Sequence, residues 1–222
     1  MGKYLVITID GPAGAGKSTI SKALARKLSY VYLDTGALYR AVAYKILEER
    51  ISPDDKNQIS DLCDQVNIQL KNIDGSLKVF IGEDNVTDKI RAEEVGLLAS
   101  KISAMPVVRK ALLSIQRKAG EKGGIVAEGR DMGTVVFPNA DYKFYLDAGT
   151  EERVRRRHKE LIMRGEEADY QKIKKDLVVR DQQDQGREIA PLKASHDAVI
   201  IDSTNISIPG VIEKMMQIIL SK

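Results

Sequence analysis

One stretch near the start of the chain limits the folds open to it. Gly11-Pro12-Ala13-Gly14-Ala15-Gly16-Lys17-Ser18 matches the pattern G-x-x-x-x-G-K-[ST] at every fixed position. Residues 4–9 before it form a near-continuous β-prone run, as in a strand buried on both faces. Residues 18–28 after it have helical periodicity, with Ile20, Ala23, Leu24 and Leu28 on one face. In a strand, glycine loop and helix, backbone N–H groups and the positive helix end can wrap a phosphate chain. Lys17 then sets a point charge against the β- and γ-phosphates, and the Ser18 hydroxyl can enter a Mg2+ shell. The nucleotide cradle is read as Gly11 through Ser18 with Thr19. The bland alternative is a glycine-rich turn without a ligand, and the complete motif in its required context argues against it. The motif does not separate a kinase from an ATPase or a GTPase. No Asn-Lys-x-Asp guanine-reading motif occurs, and 222 residues is short for an ATPase motor.

Beyond the loop, strand and helix alternate. Strands are read at residues 31–33, 124–127, 142–146 and 198–201. Helices are read after Asp34 to residue 47, at 107–118, at 151–163 and at 211–220, the last capped by Ser207 with Pro209 in its first turn. This grammar predicts a parallel sheet covered on both faces, with ligands at the carboxyl ends of its strands. Residues 66–81 differ. The first five alternate with period two, Asp74-Gly75 is a hairpin turn signal, 77–81 return, and a third short strand near Val86 is open. The expected class is α/β with a small inserted antiparallel unit.

Composition closes off other classes. The chain is 43% hydrophobic and 30% charged, as in a soluble globular protein. No apolar run reaches the roughly 18 residues of a membrane span. The strand-like start lacks the charged and apolar regions of a secretory signal, so a cytoplasmic location and no membrane partner are expected. Cys63 is the only cysteine, which rules out an intrachain disulfide, and with two histidines it makes a zinc site unexpected. A net charge of +3 is too mild to imply a nucleic-acid face.

Position of charge says more than its total. Thr35 and Arg40 follow the second strand and can face an acceptor phosphate, a task that suits the planar guanidinium fork. Glu128-Gly129-Arg130-Asp131 ends a buried strand: Gly129 permits a sharp exit, Arg130 can clamp phosphate, Asp131 can accept from a base amino group, and Glu128 can orient a Mg2+ shell. Arg180, Asp184 and Arg187 are spaced i, i+4, i+7, as on one helix face. Arg153, Arg157 and Arg164 lie on one stripe of a charged helix that can serve as a lid, supplying charge to a transferring phosphoryl group. The competing readings are solvated helices, a structural arginine–carboxylate network, or a basic face turned to RNA.

Taken together, these residues resemble bacterial-type cytidylate kinases over essentially the whole chain. The likeness is carried by the glycine loop, by Asp34-Thr35-Gly36-Ala37-Leu38-Tyr39-Arg40, and by Glu128-Gly129-Arg130-Asp131-Met132-Gly133-Thr134-Val135-Val136-Phe137-Pro138. Ala190-Pro191-Leu192 and Asp202-Ser203-Thr204 add to it. The resemblance implies a P-loop kinase three-layer fold with a parallel five-stranded sheet, an inserted antiparallel β subdomain and a helical lid. It implies one domain over 1–222, a monophosphate-binding region at 36–100 holding the β subdomain at about 62–100, and a lid at 150–168. It implies ATP with Mg2+ as donor, CMP and dCMP as acceptors, and a monomer. By motif position, Thr35, Arg40, Arg130 and Arg187 would hold the acceptor phosphate, Ser100, Arg109 and Asp131 would read cytosine, and Arg180 and Asp184 would hold the sugar. Lys17, Arg130, Arg153 and Arg157 would act on the phosphoryl group, and Ser18 and Glu128 on the metal. Two positions depart from many relatives, which have Ser for Thr35 and Asp for Glu128. A P-loop kinase for UMP, AMP or shikimate is the nearest rival reading, and a nucleotide-gated RNA-binding module is the rival from another class.

Overall fold

The computed structural model describes residues 4–221. The N-terminal run forms β1 (Val6–Asp10), and the glycine loop carries it into α1 (Lys17–Leu28). There follow β2 (Val31–Asp34), α2 (Thr35–Glu48), α3 (Lys56–Gln65), β3 (Ile68–Ile73), β4 (Ser76–Ile81), β5 (Asp84–Asn85), α4 (Glu93–Ile102) and α5 (Pro106–Gly120). The second half holds β6 (Ile125–Gly129), β7 (Tyr142–Asp147), α6 (Thr150–Met163), α7 (Tyr170–Gln185), β8 (Val199–Asp202) and α8 (Ile208–Leu220).

Strands β2, β6, β1, β7 and β8 lie side by side and run parallel, as the alternation of elements requires. Their centre is closed on both faces, with Ile7, Ile9, Val126 and Leu146 out of contact with solvent. One face packs on α1 and α8, whose Ile20, Leu24, Val211 and Met215 are buried. α2 and α5 share a larger core with α3, α4 and the hairpin, through Leu38, Val42, Ile46, Ile59, Ile102 and Leu112.

The hairpin is not set apart from this sheet. Its turn residues Asp74 and Gly75 both have positive φ, 51° and 75°, the geometry of a two-residue turn matched to strand twist. That turn brings Ser76 beside Tyr32, so β4 joins β2 in parallel at one residue pair while β3 returns antiparallel. The result is one eight-stranded sheet, the five parallel strands extended at one edge by the insert.

Two boundaries matter for the site. Asp10 stands opposite Gly129 and Asp34 opposite Glu128, so the carboxyl ends of β1, β2 and β6 gather acidic groups on one rim. α7 ends at Gln185 with Gly186 as its cap, so Arg187 lies beyond the helix and does not continue the face that carries Arg180 and Asp184.

Candidate active site

The glycine loop is built as the motif demands. Gly11 has φ of 149°, and a Cβ there would sit 2.0 Å from the Leu146 carbonyl oxygen. Lys17 folds back over the loop, its Nζ donating to the Pro12 carbonyl at 2.6 Å. Burial, and then the nearby Arg130 charge, bring its ammonium down to about 7. Such a cation gains most when phosphate oxygens arrive.

The arginines of α6 do not share one set of partners. Arg153 is buried and donates to the carbonyls of Ala148 and Ala13, both at 3.0 Å, while pairing with Asp181 of α7 at 2.7 Å. Arg156 reaches the Ala15 carbonyl at 3.2 Å and the Ser203 carbonyl at 2.7 Å. Both therefore brace the loop from behind. Arg157 turns to Glu93 of α4 at 3.5 Å and to Glu160 at 3.0 Å, and Arg164 also bonds Glu160. Ala13 packs with Val154 and Leu161 of α6 and with Ile173 and Leu177 of α7, so this helix pair sits directly on the loop.

Ser18, the residue after Lys17, lies close to the Glu128 carboxylate. The Tyr32 hydroxyl donates to Glu128 Oε1, and Thr35 Oγ1 donates to the Glu128 carbonyl at 2.6 Å. Burial pushes the Glu128 carboxyl up, and the charge of Asp34 adds to that. The Tyr32 phenol is likewise driven far up, first by burial and then by Asp34 and Glu128. Ser18 and Glu128 offer hard oxygen donors of the kind Mg2+ takes, one hydroxyl and one carboxylate beside a phosphate site. Among the described residues no cluster of three His, Cys, Asp or Glu side chains could hold a metal alone.

A second charged group centres on Asp184. Its carboxylate takes Arg130 Nε at 2.7 Å through one oxygen and Arg187 through the other. Burial opposes the charge, but Arg130 and Arg187 hold this carboxyl below the ordinary range. Arg180 stands nearby with its Nε buried and without a hydrogen-bond partner. Burial, then the charge of Arg130, lowers its guanidinium to about 10. Arg40 is tied to Asp34 at 2.7 Å, while Asp34 also caps α2 by accepting from Ala37 N at 3.1 Å. A further buried pair joins Arg109 to Asp131, with Arg109 also donating to the Ser103 carbonyl at 3.2 Å. The Arg109 guanidinium lies 5.8 Å from the Tyr39 ring centroid. Ser100 Oγ meets Gln183 at 3.5 Å, linking α4 to α7 one residue before Asp184.

The fold thus brings Lys17, Arg130, Arg180, Asp184 and Arg187 into one charged group, with Arg109 and Asp131 beside Arg187. Several residues that shape this group carry no motif. Asp10 is buried and accepts from the backbone N–H of both Met132 and Gly133 at 2.8 Å, which clamps the π-helical turn Met132–Val136 that follows Asp131. Burial raises its carboxyl to about 6. Its place at the end of β1 was the available signal. Asp181, Arg156 and Tyr32 offered none, since their partners are distant in sequence.

With this geometry in place, likeness to known proteins can be weighed. The sequence profile of the family described as cytidylate kinase matches residues 7–221. The chain belongs to the cytidylate kinase family. A cytidylate kinase of Carboxydothermus hydrogenoformans is 47% identical over 213 residues, covering 96% of both chains. One of Citrifermentans bemidjiense is 49% identical over 211 residues, covering 95% of this chain and 91% of the relative. Solved structures add the fold at low identity. A protein of Eubacterium ventriosum superposes with a TM-score of 0.52 at 9% identity, covering 98% of this chain and 99% of that one. A gluconokinase of Sinorhizobium meliloti gives 0.50 at 12%, covering 98% and 92%.

Proposed function

We propose that the protein transfers the γ-phosphoryl group of ATP to CMP, giving CDP and ADP, with dCMP as a second acceptor. The observation that carries this reading is the shared grip of Asp184 on Arg130 and Arg187, across from Lys17. Two guanidinium groups held on one carboxylate within electrostatic range of Lys17 support this reading. An acceptor phosphate oxygen is already anionic, so no general base is needed and catalysis is positioning plus charge neutralisation. Lys17 serves the β- and γ-phosphates; Thr35, Arg40, Arg130 and Arg187 serve the acceptor phosphate. Arg180 and Asp184 serve the sugar. The Arg109–Asp131 pair and Ser100 read the base, because a buried carboxylate accepts from the cytosine amino group and repels the carbonyl of uracil.

Ser18 and, through water, Glu128 would hold Mg2+, which would supply neutralising charge to the phosphate oxygens. Residues 150–168 act as a lid and 36–100 as the monophosphate-binding region. Arg157 is the lid arginine free to change partners, since Glu93 and Glu160 hold it at a half-exposed position; Arg153 acts from behind the loop. No helix among the described residues is long and apolar enough to cross a membrane, and a monomer in the cytoplasm is the setting this reading implies. A coupled ADP-release assay with CMP, dCMP, UMP, AMP and shikimate tests it. CMP-dependent release above all other ribonucleotides is expected; equal release with UMP, or release indifferent to any acceptor, overturns it.

A further inference from the structure

Glu128 has a long arm, and a long arm has several ways to point. Three rotatable bonds separate its carboxylate from the backbone, and the Asp34 charge on the adjacent strand drives it away. Tyr32 answers both problems. It lies two residues before Asp34 on β2, so its side chain projects from the same face of the sheet. Its ring is 5% exposed and packs among the buried residues under α1, with Lys22 Nζ 5.4 Å from the ring centroid. A ring held that way can present its hydroxyl in only one direction, and that hydroxyl donates to Glu128 Oε1. Ser18, at the start of α1, lies close to both the Glu128 carboxylate and the Tyr32 hydroxyl, so the three groups meet at the end of the loop.

We propose that Tyr32 is a positioning residue for the metal shell, its hydroxyl holding the Glu128 carboxylate toward Ser18. The inference rests on the reading of Glu128 as a shell residue. Partners that orient a metal-shell group typically contribute about 10–100-fold to metal affinity or activity.

Tyr32→Phe keeps the ring and removes only the hydroxyl. Mn2+ in place of Mg2+ allows direct titration by electron paramagnetic resonance, with a non-hydrolysable ATP analogue bound. Expected in Tyr32→Phe are Mn2+ binding and half-saturating Mg2+ each weakened about tenfold. ATP-analogue affinity in EDTA and the KM for CMP should hold. Glu128→Gln is the companion variant and should weaken Mn2+ binding at least as much. In the double variant the tyrosine effect should vanish, because its acceptor charge is gone. If Glu128→Gln leaves the Mn2+ titration unmoved, the shell reading itself fails and the inference with it. If Glu128→Gln moves the titration but Tyr32→Phe does not, the shell reading stands and the positioning role is overturned. Equal loss of metal-free nucleotide binding, or additive losses in the double variant, overturn it as well.

Discussion

Replacing Asp184 by Asn tests the architecture of the charged pocket most directly. The side chains of Asp184 and Arg187 are 2% and 6% exposed, and that of Arg130 is 18% exposed. Removing one member of a buried ion pair leaves an uncompensated charge and costs about 3–5 kcal/mol. Here one carboxylate serves two guanidinium groups, which raises the cost, while the partial exposure of Arg130 lowers it. Asn keeps one carbonyl oxygen and so retains about 1 kcal/mol of hydrogen bonding. A net loss of roughly 2–4 kcal/mol is expected, or a melting temperature lower by about 5–15 °C for a chain this size. Urea unfolding should show a lower midpoint with the slope unchanged. The pH dependence supplies a second check. The Asp184 carboxyl lies below its ordinary range in the folded state, so its contribution is present above the unfolded value near about 4 and is lost as pH falls through the folded one. The gap between the two proteins should therefore be flat from neutral pH down to about 5 and close under more acid conditions. A loss below about 1 kcal/mol, or a gap indifferent to acid, would refute the claim that Asp184 holds the arginines in place.

Lys17→Met should lower turnover by about 10²–10³-fold in steady-state assays. Because the folded ammonium is brought down to about 7, the unfolded chain binds more protons from there to its ordinary value of 10.5, so wild-type stability gains with pH across that window. Lys17→Met should lose that slope in urea titrations at pH 7 and 10. Asp131→Ala should reduce the preference for CMP over UMP by about tenfold in competing-substrate assays. Gly129→Ala would set a Cβ 2.7 Å from both Met132 Cε and Thr35 Oγ1, so calorimetry should show a loss of about 1–3 kcal/mol, with a raised KM for CMP.

What could be read from the sequence follows the range of the forces involved. The cradle was legible because its parts are adjacent: strand, turn and helix are set by local pattern, and Gly11 by one backbone contact. The hairpin was legible from Asp74-Gly75 for the same reason, but its attachment to β2 was not, since it depends on a single pairing of Tyr32 with Ser76. Arg187 shows where spacing misleads. Its interval from Asp184 suggested a shared helix face, yet Gly186 ends the helix and the guanidinium returns to Asp184 from the loop. Arg153 shows the same limit on α6. Helical spacing assigns a face, but only tertiary packing decides whether that face looks at phosphate or at the back of the loop.

The charged pocket also explains how so many cations can be gathered before any ligand arrives. Arg40 has Asp34, Arg109 has Asp131, and Arg130 and Arg187 share Asp184. Folding therefore desolvates these groups in pairs, which is tolerable, whereas a bare cluster would destabilise the chain by several kcal/mol per ion. Arginine suits this double duty because its five donors let a carboxylate take one edge while another stays open to phosphate. A lysine offers its three donors from a single nitrogen, so carboxylate and phosphate would have to crowd around one point. Arg180 and Arg187 are left incomplete, each with a buried, unpartnered Nε and a disfavoured charge. In the proposed transfer an acceptor would meet guanidinium groups already ordered by folding, which would lower the reorganisation required.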